Sequence, residues 1–162
     1  MTTFFKVYLS STSYPWWDLK NYSWKRKLIH EIEKTSKNIR FIDPLKNKSE
    51  DPVVCPIDIR DINRSNFVVV YINKLSIGTL LELGYCVFTN KHFCVVSRKK
   101  YVLQHPWIKY LCKDKIYTNI KDVSKLIQKK YSKFVKRIYN NKKKFYGNKK
   151  ANKNTKQFTK RI

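Results

Sequence analysis

An α/β three-layer sandwich with about five mostly parallel strands is the fold class this sequence predicts, and three observations predict it. Two short runs, "NFVVVYI" (66–72) and "HFCVVS" (92–97), are almost wholly apolar, as strands covered on both faces of a parallel sheet must be. Segments with helical spacing alternate with the strand segments along the chain. The 162 residues, 42% of them hydrophobic and 15% aromatic, suffice for one domain with a real core and hardly for two.

The elements follow in order. "FFKVYLS" (4–10) suits a first buried strand, and "STSYPWWDLKNYS" after it is a loop in which Pro15 bars helix. Trp24, Leu28, Ile29 and Ile32 recur at helical spacing and predict an amphipathic helix over 23–36. "IRFID" (39–43) is a second strand, stopped by Pro44, and a polar loop ends at Pro52. Apolar residues at 57, 59 and 62 support a short helix before the central strand, 66–72. A helix from about 79 to 90 comes next and reads as buried, then the strand 92–97. "YVLQHPWIKYLC" is helical or irregular, interrupted by Pro106, and "KIYT" (115–118) is a short last strand. Val123, Leu126, Ile127, Phe134 and Ile138 mark a long final helix. Beyond about 140 the apolar period ends, so the division expected is an α/β domain over 1–140 and a basic, flexible tail over 141–162.

The formal net charge is +25, and it is unevenly spread. Residues 129–162 hold fourteen Lys and Arg and no acid, which leaves +11 for the rest of the chain. Such a polycation attracts polyanions by releasing their condensed counterions, so nucleic acid is a candidate partner. A solvated tail with a biased Lys, Asn, Ile and Tyr composition is the alternative. Cys55, Cys86, Cys94 and Cys112 show no CxxC spacing and read as reduced thiols of a cytoplasmic protein. No signal peptide or run of ~20 apolar residues is present, so no membrane role is expected. His30, His92 and His105 lack partners at ligand spacing, and phosphate-loop and dinucleotide fingerprints are missing, so neither metal nor cofactor is expected.

One residue stands out. In "SIGTLLELGYC" (76–86) Glu82 is the only ionisable carboxylate among apolar neighbours. A carboxylate there is costly unless compensated, and a place in the first helical turn would help through free N–H groups and the helix dipole. A poorly solvated carboxylate of this kind is a candidate nucleophile, although a first-turn glutamate pointing to water is an equally ordinary arrangement. Asp58 and Asp61, three residues apart just before the central strand, add further carboxylates. Two carboxylates flanking an anomeric carbon can divide nucleophile and general-acid roles.

Over roughly residues 4–97 the sequence resembles the nucleoside 2-deoxyribosyltransferase-like superfamily, which includes deoxyribosyltransferases and nucleotide N-glycoside hydrolases. "FKVYLSS" is similar to the family's opening strand, and Asp58 precedes the pair Ser65-Asn66, which stands where the family has S-D before its central strand. "SIGTLLELGYC" matches the family's G-T/V-x-x-E-L-G-Y segment, and "WKRKLI … FIDPL" looks like a branch with Trp-Arg on the first helix.

The resemblance implies a Rossmann-like (flavodoxin-like) sandwich and cleavage or transfer of the N-glycosidic bond of a nucleoside or nucleotide. Glu82 would be the nucleophile, Asp58 the acid assisting the departing base, and Tyr8 the strand-end tyrosine that orients the nucleophile. Ser10, Ser76 and Gly78 would contact a 5′-phosphate, and Trp16 and Trp17 would stack on the base. Asn66 replaces the usual aspartate and is placed with the substrate-binding residues. Ser76, where enzymes of unphosphorylated nucleosides tend to have Asp, favours a phosphorylated substrate. A dimer or larger homo-oligomer is also implied. The alternative reading is a non-catalytic module that binds nucleotide or, through the basic tail, nucleic acid. Between the two stands an enzyme tethered by its tail to a polynucleotide substrate.

Overall fold

The computed structural model describes residues 3–11, 23–44 and 54–158. In chain order it runs β1 (Phe5–Ser11), α1 (Ser23–Glu33), β2 (Ile39–Ile42), α2 (Val54–Arg64), β3 (Phe67–Tyr71), α3 (Ile77–Phe88), β4 (Phe93–Val96), α4 (Lys100–Gln104), α5 (Pro106–Cys112), β5 (Ile116–Tyr117) and α6 (Ile120–Phe158). Two compact units divide between Ile127 and Gln128.

In the first unit the five strands form one sheet in the order β2-β1-β3-β4-β5, and every pairing is parallel. This is the doubly wound, flavodoxin-like order, and its connections reverse direction between β1 and β3. The unbroken β-branched run of β3 is explained by this position: Val68, Val69 and Val70 are completely buried, with layers on both sides.

Right-handed crossovers put α1 on one face of the sheet and α2 to α5 on the other. The second layer is a single cluster in which Tyr8, Val68, Val70 and Ile72 meet Ile62, Leu83, Cys86, Val102, Ile108 and Cys112. On the opposite face the Trp24 ring of α1 stacks on Tyr71 with centroids 4.6 Å apart, and Val7, Leu9, Leu28, Ile32, Val123 and Ile127 are buried. Because side chains alternate along a strand, Tyr8 and Ser10 share the α2–α3 face while Val7 and Leu9 take the other.

Pro106 resolves the ambiguous segment. It ends α4 and occupies the first position of α5, where its missing N–H costs nothing. The helix α3 begins at Ile77, two residues earlier than the sequence suggests, and ends where Asn90 takes a left-handed φ of 53°. It is not a buried helix. Thr79, Leu83 and Cys86 face the core, but Ile77, Leu81 and Phe88 are 81%, 69% and 82% exposed. An apolar residue at nearly every position conceals which face packs, because hydrophobicity marks what can be buried and not what is.

The second unit, Gln128–Ile162, is described as helix through Phe158, past the point near 140 where the apolar period ends. Lys133, Lys136 and Arg137 share one of its faces with Asn140 and Asn141. Among the described residues no helix is long and apolar enough to cross a membrane.

Candidate active site

In open parallel sheets the crevice lies beyond the carboxyl ends of the strands at the point where connections reverse, here between β1 and β3. Ser10 pairs with Val70 near that edge, and Glu82 reaches it from α3. The Tyr8 hydroxyl donates to Glu82 Oε1 at 2.6 Å, and the Ser10 hydroxyl donates to Glu82 Oε2. Both carboxylate oxygens are therefore held by side chains two residues apart on one strand. The spacing is what β geometry demands: only i and i+2 of a strand present hydroxyls to the same neighbour.

Burial pushes the Glu82 carboxyl above the usual range. The Ser10 and Tyr8 hydrogen bonds oppose that shift, Asp58 adds to it and the Lys25 ammonium opposes it. Tyr8 is completely buried, and burial together with the Glu82 charge drives its phenol far up, so it is a fixed proton donor. Asp58, on α2, lies close enough to Tyr8 for its charge to bear on the phenol. Its own carboxyl is pushed up by burial, eased by the Tyr8 hydroxyl and raised further by Asp61. Asp58 Oδ1 is buried without a hydrogen-bond partner among the described residues.

The structure thus brings Glu82, Tyr8, Asp58 and Ser10 together. It changes two physical expectations. Because α3 starts at Ile77, Glu82 falls in the second turn, and the first turn holds no acid. The helix dipole fades over that distance, so hydroxyls and Lys25 supply the compensation instead. Ser10, which the resemblance assigns to phosphate, spends its hydroxyl proton on Glu82.

Ser76 is the N-cap of α3 and its side chain makes no capping bond. Its carbonyl accepts the Leu80 N–H at 3.0 Å, and a Cβ at Gly78 would meet nothing within 4 Å. The first-turn N–H groups here have no acceptor within the helix. Asn66 stands apart, at the amino end of β3, about 13 Å along the strand from the level of Ser10. Its Oδ1 accepts the Lys6 N–H at 2.8 Å, and its own N–H donates to the Lys6 carbonyl at 2.7 Å. This pairing starts the β1–β3 register, so the side chain serves the sheet at the edge opposite Glu82. Trp16 and Trp17 lie outside the described residues.

Two residues of this neighbourhood escape the sequence reading. Lys25 is 1% exposed, and its ammonium lies 2.5 Å from Asp43 Oδ1, just past the end of β2. Burial lowers the Lys25 pKa, while Asp43 and, less strongly, Glu82 favour its charge. The clue was its position: 25, 28 and 32 share one helical stripe with the buried Leu28 and Ile32. The buried thiols are inert, with Cys86 pushed up to about 12 and Cys112 to about 11 by burial. Among the described residues no three His, Cys, Asp or Glu side chains gather as metal ligands.

No protein-family model and no curated protein matches the chain. Solved structures do. A 2-deoxyribosyltransferase from the psychrotolerant bacterium Bacillus psychrosaccharolyticus superposes with a TM-score of 0.56 at 19% identity, covering 74% of this chain and 90% of its own. A conserved protein from Enterococcus faecalis V583 gives 0.58 at 14% identity, covering 78% and 98%. A CMP N-glycosidase from Clostridium botulinum gives 0.49 at 15% identity, covering 76% and 98%. The chain has the nucleoside 2-deoxyribosyltransferase-like fold.

Proposed function

We propose that the protein cleaves or transfers the N-glycosidic bond of a nucleoside or nucleotide, with Glu82 as nucleophile. The observation that carries this reading is the pair of hydroxyls, Tyr8 on Oε1 and Ser10 on Oε2, that fix a poorly solvated carboxylate at the switch point of the sheet. One Glu82 oxygen attacks C1′ as the C1′–N bond breaks, and the bond's electron pair leaves with the base. Asp58 gives the base a proton; burial favours its protonated form, and its unpartnered Oδ1 is free to meet a substrate group. Water or a second base then attacks C1′ and releases Glu82 from the glycosyl ester. Tyr8 and Ser10 orient the carboxylate throughout.

The amino end of α3 supports a phosphorylated substrate. Free first-turn N–H groups, an uncommitted Ser76 hydroxyl and open space beside Gly78 suit a 5′-phosphate. Trp16 and Trp17 are proposed for the base. Chromatography of released base across a panel of nucleosides and 5′-nucleotides, ribo and deoxy, tests the reading. Activity in the wild type that falls to background in Glu82→Gln is the expected result. Equal turnover by both proteins would refute the role of Glu82, and no turnover on the whole panel would refute the activity.

The basic helix favours a second reading, binding of nucleic acid without chemistry. Lys133, Lys136 and Arg137 lie on one face of a segment without acids, the pattern that tracks phosphates. Affinity for a polynucleotide that survives Glu82→Gln but falls with rising salt would support it.

A further inference from the structure

The outer face of α3 takes no part in the site and has a symmetry of its own. Ile77, Leu81, Gly84 and Phe88 are spaced four, three and four residues apart, the same read forwards or backwards. At about 100° per residue they fall within a narrow stripe, opposite the buried Thr79, Leu83 and Cys86. Ile77, Leu81 and Phe88 are 81%, 69% and 82% exposed. A Cβ at Gly84 would meet only the Phe88 ring of its own helix, at 4.0 Å, so the surface before it is open.

We infer that this stripe pairs with the same stripe of a second copy of the chain, antiparallel, about a two-fold axis between Leu81 and Gly84. The palindromic spacing sets Ile77 opposite Phe88 of the other copy, and Leu81 opposite the gap at Gly84. Such self-complementarity is what an isologous interface needs, and alternating four- and three-residue steps make the seam of helices crossing at about 20°. Charge selects the partner. In a chain of net charge +25, α3 is the only described helix without Lys or Arg. Two copies can meet there without opposing their cations, whereas a polyanion would find nothing to neutralise.

The area is also adequate. Phe88 on α3 is 82% exposed, and Trp107 and Tyr110 on α5, which packs against α3, are 66% and 71% exposed. Each aromatic can bury on the order of 150–250 Å². With Ile77 and Leu81 they approach the ~800 Å² per partner of a stable interface. The inference does not depend on the chemistry at Glu82.

Sedimentation equilibrium of the full chain across a range of concentrations tests it. The wild type is expected to dimerise, and Leu81→Lys, a change at an exposed position, to stay monomeric with an unchanged circular dichroism spectrum. Register is tested by oxidising Ile77→Cys/Phe88→Cys in a Cys55→Ser background. Within one helix these positions lie about 16 Å apart, beyond the ~7 Å disulfide limit, so only the paired copies can link. A covalent dimer from the double-cysteine variant, and none from either single-cysteine variant, is expected. A wild type monomeric at every concentration, a dimer indifferent to Leu81→Lys, or single-cysteine variants that link as readily as the pair would overturn it.

Discussion

Removing the Tyr8 hydroxyl tests how Glu82 is tuned. In Tyr8→Phe the ring stays in the core and only the donor to Oε1, at 2.6 Å, is lost. A hydrogen bond to a charged group contributes about 1.5–3 kcal/mol. That loss falls on the ionised carboxylate, and one pKa unit corresponds to about 1.4 kcal/mol. The Glu82 pKa, already held above 4.5 by burial, should therefore climb by about one to two further units. Asp58 should move the same way, because the Tyr8 hydroxyl eases its ionisation as well. Carbon-detected NMR titration of glutamate-labelled protein, assigned with Glu82→Gln, reads the shift without needing turnover. The acid limb of kcat/KM against pH should move upward in parallel if Glu82 must be ionised to attack. A Glu82 resonance that titrates at the wild-type pH or lower in Tyr8→Phe would refute the reasoning.

Three further outcomes are expected. Since native Glu82 titrates above its ordinary value of 4.5, the native state holds its proton more tightly than the unfolded chain. Stability from this group is thus complete at low pH and is lost as pH rises from about 4.5 through the native pKa. Glu82→Gln should flatten that part of the Tm–pH curve and raise Tm above the window; a curve parallel to the wild type's would contradict this. Lys25→Met strips the buried Asp43 of its ammonium and should cost about 3–5 kcal/mol in urea unfolding, with Asp43→Asn in the same chain restoring part of it. No loss from Lys25→Met would remove the pair from any structural role. Reversing charge at Lys133, Lys136 and Arg137 should lessen the salt dependence of binding to duplex DNA, by about 0.9 in logarithmic slope for each phosphate no longer neutralised. An unchanged slope would exclude that face.

Most of the architecture was legible because the strands are short, apolar and separated by turn residues, so burial on both faces shows directly in "FVVVY" and "FCVV". Glu82 was legible for the opposite reason, as a lone charge where charge is costly. Asn66 misled because the reading was positional. A residue beside a strand's start lies at the wrong edge for a ligand, and only the register fixes that its amide binds the β1 backbone. Lys25 hid because "WKRKLI" sets three cations in a row, and composition does not say which one turns inward. The exposed stripe of α3 hid in an all-apolar helix, where no polar face marks the outside.

Lys25 also explains why a chain of net charge +25 does not simply hold Glu82 ionised. Surface cations act on the carboxylate through water and salt, and fade over about 8 Å at physiological ionic strength. The buried ammonium is not screened in this way, but it makes its close contact with Asp43, at 2.5 Å, and acts on Glu82 only at longer range. A direct Lys–Glu pair would lower the Glu82 pKa and leave a weak, fully satisfied carboxylate. With its counterion shared, Glu82 keeps the raised pKa that burial imposes, and two hydroxyls direct its lone pairs. A carboxylate that is oriented but incompletely neutralised gains most when positive charge develops beside it, as it does at C1′ when a glycosidic bond breaks. Asp43→Asn should therefore lower the Glu82 pKa by freeing the ammonium to favour Glu82, and slow attack at pH values where both forms are ionised. A faster reaction in that variant would show that Asp43 restrains the site instead of tuning it.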